Sequence, residues 1–175
     1  AKIGETSYTT LQDAFKAATS GCTIDILSDV TVDSKWDCRY TGARFTVPVT
    51  INGNGKTIKF TGSVNDNNWN TVFRFEENAA VNNLTVDISN ATGAQRVISA
   101  KKSLNVDGLN IVGAARYGVI YGEGASATDL AATEIVVKNS TLGGTRRALS
   151  DNEGGKDVKS VVISNSTRVV SPLST

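Results

Sequence analysis

At 175 residues, 39% hydrophobic but only 6% aromatic, the chain has the size of one domain able to bury about two-thirds of its unfolded surface, with Val, Ile, Leu and Ala as its core-forming stock. Eighteen basic against seventeen acidic residues leave a formal charge of +1, so net charge gives no argument for nucleic acid as a partner. Histidine is absent, which removes the Ser-His and Cys-His nucleophile pairs and every imidazole metal ligand.

The first segment, Ala1 to Tyr8, reads as a short strand or loop. A helix follows it: Thr9 or Thr10 serves as N-cap, Asp13 complements the dipole in the first turn, and Leu11, Ala14, Phe15 and Ala18 recur at helical spacing until Gly21. Its apolar stripe suits a cap over the open end of a stack of strands. Residues 1–22 are therefore expected as a strand and capping α-helix, and residues 23–175 as one repetitive domain.

From Thr23 onwards the apolar residues alternate. Ile26, Ile51, Val81, Val106, Val137 and Ile163 mark equivalent positions, about 25 to 31 residues apart, a period that belongs to solenoids and is too long for the hairpins of a sandwich. A second strand per turn is expected at 72–75, 96–99, 117–121 and 147–150. Segments 33–44, 62–71, 122–133 and 151–157 are rich in Gly, Asp, Asn and Ser and are expected to protrude as loops, where solenoids carry function. Asn54, Asn83, Asn90, Asn110, Asn139 and Asn165 fall near corners, where Asn tolerates left-handed backbone. The expected fold is all-β, a parallel β-helix of about six turns.

Cys22 and Cys38 lie in no metal-binding spacing. Paired, they would close a loop worth about 3 kcal/mol in the chain-entropy model and imply an oxidising compartment; unpaired, they are two unrelated thiols. No apolar run approaches the roughly 20 residues of a membrane span, so no membrane insertion is expected.

The opening IGETSYTTLQDAFKAATSGCTIDILSDVTVD, with the later rungs VTINGNGKTI, NLTVDIS and GLNIVG, resembles bacterial secreted and cell-surface members of the pectate-lyase-like superfamily. The resemblance implies a right-handed parallel β-helix with an N-terminal capping helix, secreted or displayed on a surface; no capping element follows Pro172, so a piece of a longer surface protein is expected. Its members include uronate-polysaccharide lyases, glycosidases, tailspikes, adhesins and non-catalytic polysaccharide binders, so the fold alone selects no activity.

Lyases of that superfamily need clustered acids for Ca²⁺ beside a basic proton abstractor. Here Asp25, Asp29, Asp33, Asp37, Asp66, Glu76, Glu77, Asp87 and Asp107 are dispersed, and calcium wants several oxygens converging on one point. No cofactor is expected, with Ca²⁺ near Asp29, Asp33 and Asp37 as the alternative. A glycosidase needs two carboxyls about 5 to 10 Å apart, for which Asp87 with Asp107, or Asp151 with Glu153, are candidates.

Arginine recurs more regularly. Arg74, Arg96, Arg116, Arg146 and Arg147 sit within or just before the second strand of successive turns. Stacked about 4.8 Å apart they would form a guanidinium column suited to carboxylates or sulfates. Tyr117, Tyr121 and Trp69 would add flat surfaces for sugar rings; the competing reading has the arginines pairing with Glu76, Glu77 or Glu123. The function this favours is a non-catalytic secreted or cell-surface domain binding an acidic polysaccharide or glycan. The alternatives are a polysaccharide lyase or glycoside hydrolase, and a stalk or tailspike-like module that oligomerises.

Overall fold

The computed structural model describes residues 1–66, 69–151 and 158–169. The β-branched rungs pair in parallel into a solenoid with three faces. The first face is the row Cys22–Asp25, the first half of Val49–Phe60, the first half of Ala79–Asp87, Leu104–Asp107, Glu134–Lys138 and Ser160–Ser164. The register shift between Asn52 and Lys56 turns the chain onto the second face, which continues with Asn110–Val112, Thr141–Gly143 and Thr167–Val169. The third face is a separate five-stranded sheet: Arg44–Phe45, Thr71–Phe75, Arg96–Ala100, Tyr117–Tyr121 and Arg147–Asp151. About five turns are closed, because Ser160–Ser164 has no counterpart on the third face among the described residues.

Ile24, Ile51, Val81, Val106, Val137 and Ile163 are partners in succession. The first rung is thus represented by Ile24, where the spacing pointed to Ile26. Both isoleucines are buried and lie one alternation apart, so apolar spacing alone does not separate them. The first five members of this column are fully buried, whereas Ile163 is 58% exposed at the last rung.

The corner between the first two faces explains the recurrent asparagines. Asn54, Asn83, Asn139 and Asn165 adopt φ of 46–51°, and Gly108 takes the same position with φ 71°. Asn tolerates this left-handed region because its short amide bonds locally; Asn139 Nδ2 donates to Asp107 Oδ1 at 2.8 Å and Asn165 Nδ2 to Asn139 Oδ1 at 2.7 Å. Asn110 lies instead within a second-face strand.

Helix α1, Leu11–Lys16, is capped by Thr10, whose hydroxyl accepts from the Asp13 amide at 3.1 Å. It is shorter than the apolar spacing suggested, ending before Ala18 and Gly21. Leu11, Ala14 and Phe15 are buried. Phe15 meets Trp36, Phe45 and Phe73 edge-on, Trp36 meets Phe60, and Phe45 stacks on Phe75 at 5.3 Å. All five phenylalanines therefore gather in the early turns, so this part of the core is aromatic and only the later turns are aliphatic. Such pairs contribute about 0.5–1.5 kcal/mol each beyond their buried area.

Segment 33–44 protrudes only in part. Trp36, Asp37, Cys38 and Ala43 are buried while Tyr40 is 72% exposed, and Trp36 Nε1 donates to the Val72 carbonyl at 2.8 Å. The large ring in the segment supplies enough apolar area to pull it onto the core. Segment 122–133 carries a helix, α2 (Ala127–Ala132), whose Ser126 and Asp129 form a reciprocal capping box. Buried Leu130 reaches the Gly122 turn.

Cys22 and Cys38 are not bonded to each other. Cys22 begins a first-face strand opposite Val49, while Cys38 is buried in the segment leading to the third face, where its thiol donates to Asp66 Oδ2 at 3.6 Å. Burial, then the charge and hydrogen bond of Asp66, push the Cys38 thiol up to about 12. Among the described residues no helix is long and apolar enough to cross a membrane.

Candidate functional site on the third face

The starts of the third-face strands lie in one row: Thr71, Arg96, Tyr117 and Arg147 are successive partners. Arg74 belongs to a different row, with Arg44 before it and Ser99, Ile120 and Ser150 after it. The arginines thus do not form one column, because their offset from the strand start differs from turn to turn. They divide into two groups.

In the first group the charges are matched internally. Arg74 Nε lies 2.7 Å from Glu76 Oε1, which also takes Arg44 Nε at 3.0 Å. Arg74 Nη1 is 3.7 Å from Glu123 Oε1, and Arg96 Nη1 donates to Glu123 Oε2 at 2.5 Å. The Ser99 hydroxyl donates to the same Glu123 oxygen. Burial pushes the Glu76 carboxyl up, but the hydrogen bonds and charges of Arg74 and Arg44 outweigh it and hold the group below its ordinary 4.5. Arg96 is only 2% exposed, and its guanidinium carbon stands 4.5 Å from the centre of the Trp69 ring.

The second group is open. Arg116 and Arg146 are exposed, with guanidinium carbons 5.5 and 5.9 Å from the centre of the Tyr117 ring, and Arg146 Nη1 donates to the Tyr117 hydroxyl at 3.1 Å. Arg168 Nη2 approaches the Arg146 carbonyl at 3.5 Å, bringing a further cation alongside. Arg147 is half-exposed and stands 3.8 Å from Asp151, a weak exposed pair. Among the described residues, neither Arg116 nor Arg146 takes part in an ion pair.

Tyr121 lies at the opposite end of its strand from Tyr117, opposite Ala100 and Asp151. Burial, then the Asp151 charge, push its phenol up. The acid pairs suggested by sequence do not gain a shared site: Asp87 accepts from Ser89 on the second face, and Asp107 takes Asn139 on the first. Glu153 lies outside the described residues. Among the described residues no group of three or more acids or cysteines is arranged to hold a metal ion. What sequence reasoning did not find is the support beneath the third face: Ser99 on Glu123, and Asp66, whose carboxylate accepts the Trp69, Asn70 and Thr71 amides at 3.1, 2.7 and 3.2 Å. The Ser126-x-x-Asp129 pattern was the available signal for α2.

One sheet face of the solenoid thus bears a cluster of exposed cations beside aromatic rings. Residues 6–149 match the family described as Putative pectate lyase-like adhesive domain. The chain belongs to this family. No curated protein and no solved structure matches it. Membership of an adhesive-domain family fits the surface or secreted character that the sequence resemblance implied.

Proposed function

We propose that this adhesive domain works outside the cell or on its surface, without bond cleavage, by holding an acidic polysaccharide or glycan against its third face. The observation that carries the reading is the Arg116–Tyr117–Arg146 cluster, two exposed cations around one ring with no carboxylate paired to them among the described residues. Guanidinium forks match carboxylates and sulfates bidentately, and the phenol ring offers a sugar a flat contact. Arg74 and Arg96, already matched by Glu76 and Glu123, serve the face as support.

The test is binding to immobilised polygalacturonate, a uronate polymer, beside a neutral polymer. Binding should weaken as salt rises from about 0.1 to 1 M, where the screening length falls from about 10 to 3 Å. Replacing Arg116 and Arg146 together by Ala should cost about tenfold or more in affinity. Absence of binding, or binding indifferent to salt and to the double replacement, would overturn the reading.

A further inference from the structure

Trp69 is 46% exposed, and a lone exposed aromatic needs no explanation. What stands behind this one does. Its backbone amide is bonded to the buried Asp66 carboxylate. Its ring rests on Arg96, which is nearly inaccessible and is ion-paired to buried Glu123, and Glu123 is in turn bonded by Ser99 and lies beside Arg74. Burying Arg96 and Glu123 is an expensive way to fill space, since apolar residues of similar volume are often as stable or more so. The arrangement backs the indole with a guanidinium that is itself held by Glu123, the kind of support that lowers the ordering cost of binding.

From this geometry we infer that Trp69 is a sugar-stacking platform, a second subsite that takes the C–H face of a pyranose ring. The guanidinium on one side of the indole already occupies its cation-attracting quadrupole, so the exposed side suits a neutral or anionic ring and disfavours a cationic ligand. Tyr117 is the ladder partner of Arg96, one rung or about 4.8 Å further along the axis. A glycan chain lying parallel to the axis would place one ring on Trp69 and its acidic groups at Arg116 and Arg146. This orientation rests on the proposed function; the platform itself rests on the Trp69 support.

The protein has two tryptophans, Trp36 fully buried and Trp69 exposed, so acrylamide quenching of the native chain reports on Trp69. Polygalacturonate oligomers should shield it from acrylamide. Trp69→Ala should weaken their binding about tenfold, with Trp69→Phe retaining most of it and thermal unfolding confirming that both variants fold. If Trp69→Ala binds as the native chain does while the Arg116 and Arg146 double variant does not, the platform is refuted and the acidic-glycan reading stands. If cellohexaose, a neutral chain, shields Trp69 while polygalacturonate does not bind, the platform stands and the acidic reading falls. If neither probe shields Trp69, the platform is refuted without need of any variant.

Discussion

Glu123 is the residue whose loss should be felt most widely. Replacing it with Ala removes the carboxylate bonded to the nearly inaccessible Arg96, the acceptor of the Ser99 hydroxyl, and the second carboxylate beside Arg74. Breaking a buried ion pair from one side costs about 3–5 kcal/mol, because the remaining charge stays desolvated. In a chain of this length each kcal/mol moves the melting temperature by about 2–4 °C, so Tm should fall by roughly 6–20 °C. Glu123→Gln keeps an acceptor and should fall between the native chain and the Ala variant. Replacing both partners with apolar residues, Arg96→Met with Glu123→Leu, should recover most of the loss, since no buried charge is then orphaned. Urea and thermal unfolding followed by circular dichroism measure all three. A loss below about 1 kcal/mol for Glu123→Ala, the size of an exposed pair, would refute the claim that this network is desolvated.

Three further outcomes can be checked with simple assays. A thiol reagent at mild alkaline pH should modify half-exposed Cys22 quickly and buried Cys38 only on unfolding, since burial and Asp66 push the Cys38 thiol up to about 12; equal rates, or a native mass two hydrogens lower than the reduced one, would contradict this. Glu76, Asp37 and Asp87 all ionise more readily in the folded chain than their ordinary 4.5, 3.8 and 3.8. Each contribution is therefore fully present above the ordinary value and lost as pH falls through the lower folded one. The urea midpoint should stay flat with respect to these groups down to about pH 5 and drop below it, less steeply in Glu76→Gln; an unchanged profile in that variant would remove Glu76 from the account. At the corner, Asn139→Ala should cost about 1–2 kcal/mol because a Cβ-bearing residue without a local amide is strained at φ 48°, and Asn139→Gly should cost less; since both variants lose the bond to Asp107, the reverse order in urea unfolding would refute the backbone account.

The rungs were legible because a single requirement, one apolar side chain per turn facing a shared core, repeats along the chain. Ile51, Val81, Val106, Val137 and Ile163 keep that register in the structure, and the third-face strands at 72–75, 96–99, 117–121 and 147–150 lie within its ladder. Composition misled where one large side chain outweighed its neighbours: Trp36 draws an otherwise polar stretch into the core. The site was legible only as a set of residue types. Whether an arginine is open or matched depends on which carboxylate reaches it from another turn, and Glu123 meets Arg96 across 27 positions of sequence. No local pattern encodes that meeting, so Arg96 and Arg116 look alike in sequence and differ in space.

The ladder of the first face keeps its alignment although the stretches between Ile51, Val81, Val106 and Val137 differ in length. Part of the surplus sits in the register shift between Asn52 and Lys56, and the rest in the segments flanking the third face, including those that bring Trp69 and Glu123 to it. Turns of different length are therefore accommodated without displacing any partner in the first-face stack. Shape on the contact side and continuity of the backbone scaffold are separate variables in this molecule, and the first can diversify while the second is held constant.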